Sequence, residues 1–297
     1  MGNAYTGTTH QFSTPYLTLD EFKNAPTAID IDNLVFNSQD PDVQDAELSN
    51  VIARASSWID TYCNQVLAAT TEQEQQRTRI NADGTIRLHP RYNPIIALTS
   101  FQYGNPSTQL QTLSDCSVAW IEDSEIIVPY ANLSLTYSSQ GALQFGFPTS
   151  PRVETYIKYT YVAGYANTTI VTATAGQTSL TVADGTGITA GLTLKIYDGY
   201  SSEFVTVAST YTFGSTTIPL TSALVNNHAT GISISALPPA IKEAAILVTT
   251  AFLKVRGDNS MVMSISTSAG PTVPGKEKLG EDILLAEQLL LPYRRVR

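Results

Sequence analysis

The sequence predicts an α+β protein. It reads as a helical bundle core with a β-hairpin/sheet element, plus an inserted all-β domain, a small barrel or sandwich. Three observations carry this. Apolar residues step by four and three, the helical period, over residues 48–66 and 241–255. Between them, from Arg77 to Val162, the alternation has period two. Residues 166–237 then hold 16 threonines and only four charges, Asp184, Lys195, Asp198 and Glu203.

The elements follow in order. Thr18-Leu19-Asp20-Glu21 is a capping box before Phe22, and Pro26 ends that short helix. Asp40-Pro41 supplies an N-cap and a proline at the first helical position. Leu48, Ile52, Ala55, Ile59, Tyr62 and Val66 then form one stripe, flanked by Trp58 and Cys63. Residues 78–80 and 85–88 bracket Asp83-Gly84, which predicts a hairpin. Further strands are expected at 95–103, 118–121, 125–128, 132–137 and 156–162. Inside 166–237, Thr172-x-Thr174-x-Gly176-x-Thr178-Ser179-Leu180-x-Val182 repeats 38 residues on, as Thr210 to Leu220. Gly191-Leu192-Thr193-Leu194 and Gly231-Ile232-Ser233-Ile234 follow the two copies. Two copies are too few for a solenoid and fit a small barrel or sandwich of similar halves. Pro238-Pro239 opens a helix that is apolar on nearly every face, with Gly257 at its end. Residues 258–275 read as a loop, and a last helix from about Glu277 stops at Pro292. The expected organisation is one core, 1–165 with 238–297, and an inserted domain, 166–237.

Composition limits function. The chain has 297 residues and a formal charge of −9, so it has no general basic surface for gripping phosphates. Charged residues make up 14%, with 38 Thr and 26 Ser filling the shortfall. The polar start, Met1–Tyr16, predicts no secretory signal, and no apolar run is long enough for a transmembrane helix. Cys63, Cys116, His10, His89 and His228 are the whole stock of soft ligands, and no two lie closer than 26 positions. Local metal motifs are excluded, and no cofactor or metal is expected.

No catalytic motif is complete. Gly270-Pro-Thr-Val-Pro-Gly275-Lys276 matches G-x-x-x-x-G-K, but Glu277 stands where magnesium needs Ser or Thr. Pro271 and Pro274 also remove two amide donors from that loop. Cys63 reads as a buried structural thiol, and nothing near Cys116 would activate it. His89, before Pro90, reads as a turn residue, and His228 as a loop tip. Tyr156, Tyr159, Tyr161 and Tyr165 suit cross-strand packing better than a sugar platform. The sequence predicts no enzyme. Its end, Tyr293, Arg294, Arg295 and Arg297, is a basic aromatic segment on an acidic protein, of the residue types that anchor interfaces.

The order of parts resembles a known family. Tyr16-Leu-Thr-Leu-Asp-Glu-Phe22 leads to a long helix with Ala55-Ser-Ser-Trp-Ile-Asp-Thr-Tyr-Cys63. A D-G turn, Arg91-Tyr-Asn-Pro94, Tyr159-Thr-Tyr-Val-Ala-Gly164-Tyr165 and Leu237-Pro-Pro-Ala-Ile-Lys242 come next, and Leu289-Leu-Leu-Pro-Tyr-Arg-Arg295 closes the series. This resembles the head-to-tail connector, or adaptor, proteins of tailed bacteriophages. The resemblance implies a structural protein of the virion neck, made in the host cytoplasm and assembled as a twelve-membered homo-oligomeric ring. It implies a portal protein above, stopper or tail proteins below, and genomic DNA passing through the lumen without specific binding. It maps the portal-docking tail onto Tyr293, Arg294, Arg295 and Arg297. Residues 166–237 depart from the family's smaller core. The second reading of the chain is a β-rich carbohydrate-binding or host-adhesion module, resting on that insertion and the tyrosines.

Overall fold

The computed structural model describes residues 15–27, 29, 31–32, 34–35, 38–79, 81, 84–104, 110–129, 135–137, 143–145, 155–257 and 274–295. The fold is mixed α+β, and the chain divides into two compact units. One is built on Ala69–Gly164, and the other on Ser13–Ala68 with Tyr165–Arg297.

The second unit holds the helices. In α1 (Leu19–Lys23) the capping box is complete: Thr18 N–H donates to Glu21 Oε2 at 2.7 Å and Glu21 N–H to Thr18 Oγ1 at 3.3 Å. In α2 (Pro41–Cys63), Asp40 accepts from Asp42 N–H at 3.1 Å, and Asn64 closes the helix in the left-handed region (φ 54°). The stripe's last residue, Val66, therefore lies past the helix, partly buried against the same core. Against α2 pack α3 (Pro239–Gly257) and α4 (Pro274–Leu290). Leu48, Ile52, Ala55 and Ile59 meet Ile241, Ala245, Val248, Ala286 and Leu290 in one core. Each buried Leu or Ile contributes about 1.5–3 kcal/mol. Gly275 and Lys276 belong to the first turn of α4, whereas residues 258–273, including Gly270 and Pro271, lie outside the described residues.

The first unit is antiparallel β. Strands β1 (Thr70–Thr78), β3 (Ile95–Gly104), β4 (Gln111–Thr112) and β9 (Thr155–Ala163) form one sheet in the order β1-β9-β3-β4. Strands β2 (Thr85–Leu88), β5 (Trp120–Glu122) and β6 (Glu125–Pro129) form a second, ordered β2-β6-β5, and β7 (Leu135–Tyr137) pairs with β8 (Leu143–Phe145). The expected turn at Gly84 is closed, with Asn81 N–H donating to Thr85 O at 2.9 Å and Gly84 N–H to Asn81 O at 3.0 Å, but β1 and β2 are not ladder partners. β1 pairs along its whole length with β9, while Ile86 and Leu88 take β2 into the other sheet beside Ile126 and Val128. The local signal sets the turn and long-range pairing sets the strand partners; Asp83 itself lies outside the described residues. Residues 116–118, expected partly as strand, make a 3₁₀ turn capped by Asp115.

Residues 166–237 fold as a six-stranded sheet within the second unit. The strands are β10 (Asn167–Thr172), β11 (Ser179–Val182), β12 (Thr193–Tyr197), β13 (Glu203–Thr206), β14 (Thr217–Pro219) and β15 (Ser233–Ser235). Their order is β13-β12-β15-β10-β11-β14, and the sheet curls into a half-barrel whose edge strands meet at a Val207–Leu220 bridge.

The repeat explains this order. Leu180 pairs with Ile218, its own counterpart 38 residues on, and Lys195 pairs with Ser235, its counterpart 40 on. A local two-fold axis therefore relates β10, β11 and β12 to β13, β14 and β15. It carries the β10–β15 register (Thr169 opposite Ser233) onto the β13–β12 register (Thr206 opposite Thr193). It likewise carries the Ile170–Val182 pair onto the Val207–Leu220 bridge. The turn glycines match as well, with φ of 80° at Gly176 and 81° at Gly214.

Candidate functional site

The sequence-predicted tail residues lie at the C-terminal end of α2. A 3₁₀ turn (Leu291–Tyr293) follows α4 and directs the chain back across that end. Arg295 N–H donates to Cys63 O at 2.9 Å, and Gln65 Nε2 donates to Tyr293 O at 2.9 Å. The Arg294 guanidinium lies 5.2 Å from the Tyr62 ring centre, and Tyr62 stacks on Trp58 at 5.5 Å. Tyr293 meets Tyr165 edge-on at 6.4 Å. Residues 294–295, beyond the stop at Pro292, thus fold back on the end of α2. Two arginines at the negative end of the α2 dipole, one of them on an aromatic face, are favourable on both counts. Arg297 lies outside the described residues.

The result is a basic aromatic surface of Arg294, Arg295, Tyr62, Trp58, Tyr165 and Tyr293. Arg294 is exposed and the others are half-buried. Sequence reasoning missed Trp58, Tyr62 and Tyr165 as members. Trp58 and Tyr62 carried a signal, an aromatic pair one helical turn apart; Tyr165 carried none. Beneath the surface, burial pushes the Cys63 thiol up to about 12, with Asp60 adding to the rise and Arg294 opposing it. Such a thiol is not a nucleophile at neutral pH. Burial and the Asp115 charge also raise the Cys116 thiol.

Three polar clusters lie elsewhere. Lys242 Nζ, buried, contacts Glu21 Oε1 at 2.7 Å and Ser233 Oγ at 3.1 Å and sits 4.4 Å from the Tyr197 ring centre. Burial lowers its pKa while Glu21 pulls it back up. His228, expected at a loop tip, has a fully buried side chain. Its Nδ1 meets Asp198 Oδ2 and its Nε2 meets Glu203 Oε1, both at 2.8 Å. Glu203 also accepts from the N–H groups of Val225 and Asn226, each at 3.0 Å. Burial raises the Glu203 carboxyl, but these donors and His228 outweigh it and hold it below the usual carboxylate range. The polar sequence Asn226-Asn227-His228 concealed a side chain whose partners lie 25 and 30 positions away.

In the β unit, Glu74 accepts from Tyr161 OH at 2.5 Å, Tyr159 OH at 3.0 Å and Arg91 N–H at 2.8 Å. Burial first and Glu74 second raise both tyrosines well above their ordinary value. Each of these clusters is satisfied internally; Lys242, Glu21 and Tyr197 also line an open pocket with Leu17, Asn24 and Ser202, where the Lys242 ammonium is held by Glu21 and Ser233. Among the described residues no group of His, Cys, Asp and Glu could hold a metal ion. Among them, too, no helix is long and apolar enough to cross a membrane.

No family model and no curated protein matches the chain. A chain in a solved structure described as "Neck of empty GTA particle computed with C6 symmetry" is similar to it at 12% identity. The match covers 98% of this chain and 95% of that one, with a TM-score of 0.41. At that distance the likeness assigns the chain to no family.

Proposed function

We propose that the chain is a structural head-to-tail adaptor of a tailed bacteriophage. It forms a homo-oligomeric ring, expected to be twelve-membered, that docks under the portal and joins it to a stopper or tail protein. Genomic DNA crosses the lumen without specific binding, and a charge of −9 per subunit suits a conduit that repels phosphates. One observation carries this reading. Four of the motif segments behind the resemblance are far apart in sequence yet build one core: Tyr16 and Phe22, Ala55 and Ile59, Leu237 and Ile241, with Leu289 and Tyr293 packed against them, while Tyr92, Tyr159 and Tyr161 belong to the core of the β unit. The segments Ala55–Cys63 and Leu289–Arg295 close on each other in the basic aromatic surface, which is the proposed portal contact with Tyr293, Arg294, Arg295 and Arg297. Residues 166–237 are proposed as an insertion between the two parts of this core.

Two measurements test the reading. Mass analysis and electron microscopy of assembled particles should find the chain in the neck, and its absence there refutes the proposal. Deleting residues 292–297 should abolish joining to portals while leaving the monomer folded. The carbohydrate-binding alternative loses its tyrosine platform, because Tyr159 and Tyr161 are buried in the β core.

A further inference from the structure

One outer face of the curled sheet is covered, and its two-fold counterpart is open. On the β10–β15 pair the outward residues are Asn167, Thr169, Ser233 and Ser235. Their own chain covers them: Lys242 reaches Ser233, Asn167 Nδ2 donates to Pro15 O at 3.0 Å, and both serines are buried. The local two-fold carries these four onto Phe204, Thr206, Thr193 and Lys195. There Phe204 is 70% exposed, and Tyr200 at the hairpin tip and Val225 beside it stand in solvent. Lys195 lies 5.7 Å from the Phe204 ring centre and meets no carboxylate among the described residues. Small polar residues thus occupy the covered face, and an aromatic, cationic patch occupies the open one. Such exposed patches mark interaction surfaces, and aromatic residues are the usual anchors.

A second apolar face runs from α4 into the 3₁₀ turn that follows it. Leu284 and Leu291, seven residues apart, are 57% and 61% exposed, and Leu285 lies beside them. Glu281, one turn before Leu285, pairs with no described cation. The two faces are unlike, and Lys195 on one and Glu281 on the other are of opposite charge.

We propose that they meet between neighbouring copies of this chain. The Tyr200–Phe204–Val225 patch of one copy seats on the Leu284–Leu285–Leu291 face of the next, with Lys195 opposite Glu281. A contact between unlike patches is heterologous, and its repetition closes a ring when the rotation allows. The inference rests on the ring reading above and names the surfaces that would make it.

The test uses the full chain and sedimentation or native mass spectrometry. The wild type should assemble, and Phe204→Asp and Leu285→Asp, both at exposed positions and both verified as folded by circular dichroism, should each weaken association about thirtyfold or more. The decisive arm mixes the two variants. Each keeps one intact face, so the mixture should stop at a dimer. Lys195→Glu should weaken assembly, and adding Glu281→Lys should restore it. Assembly that survives both aspartates overturns the assignment while leaving the neck reading intact; glycan binding lost in Phe204→Asp would then give the patch to carbohydrate. A wild type that stays monomeric, in solution and with portal present, removes both.

Discussion

The two halves of the curled sheet share a backbone and differ in what surrounds them. Core-facing counterparts keep their character: Leu180 and Ile218, Val182 and Leu220, Leu194 and Ile234 are all buried aliphatics. Outward counterparts diverge. Asn167 lies under its own chain where Phe204 faces solvent. One buried pair differs as well: Ile188 stands where the offset of 40 places His228. Inward periodicity and turn glycines therefore hold the register. Positions outside that set have been free to specialise, one half toward the helices and the other toward solvent.

The largest expected effect lies in the covered half. Lys242→Ala strands Glu21 in a buried site and should cost about 3–5 kcal/mol in urea unfolding. Removing both charges, as Glu21→Gln with Lys242→Met, should recover most of that loss. Next comes the point of divergence. His228→Ile copies the other half's residue but leaves Asp198 and Glu203 without their shared partner, at a cost of about 1–3 kcal/mol. A neutral outcome would mean the carboxylates are solvated without it.

The symmetry itself is tested by Gly176→Ala and Gly214→Ala. Both sites are open to a Cβ, so only the left-handed backbone opposes the change. Each should lose about 1–2 kcal/mol, and the two losses should agree. Unequal losses would limit the two-fold to strand pairing. Acid sharpens the same comparison. Glu203 is held below the usual carboxylate range, so its contribution is complete above that range and disappears as pH falls through the lowered value. Hydrogen exchange at the Val225 and Asn226 amides should accelerate there, with no matching change around Ile188. The smallest effect is expected in the open half, where Lys195→Ala should change monomer stability by no more than about 0.5 kcal/mol.

Much of this fold was legible because its signals are local. Asp40-Pro41 and the stripe from Leu48 to Ile59 give α2 without tertiary information, and Thr18 with Glu21 gives α1. β1 was not legible: Thr-Thr-Glu-Gln-Glu-Gln-Gln-Arg-Thr has little strand propensity, and β9, some 85 residues later, makes it a strand. The 38-residue repeat was visible, but the pairing of its copies with each other was not, because register is a long-range property. Of the candidate surface, the terminal Tyr and Arg residues were legible from composition. Their partners Tyr62 and Tyr165 needed the chain to fold back.

The chain leaves the helical unit at Ala68 and returns at Tyr165, and these two residues form a bridge, with Tyr165 N–H on Leu67 O at 2.8 Å. The exit and re-entry points are thus a fixed doorway, whatever length of chain lies beyond it. Closing a loop costs only about 0.6 kcal/mol more for each doubling of its length. The helical unit is therefore nearly indifferent to the size of what it carries between those residues. A short glycine linker from Ala68 to Tyr165 should leave a protein that still unfolds cooperatively. The Ala68–Tyr165 bridge, within the helical unit itself, is what would hold the two chain ends in place.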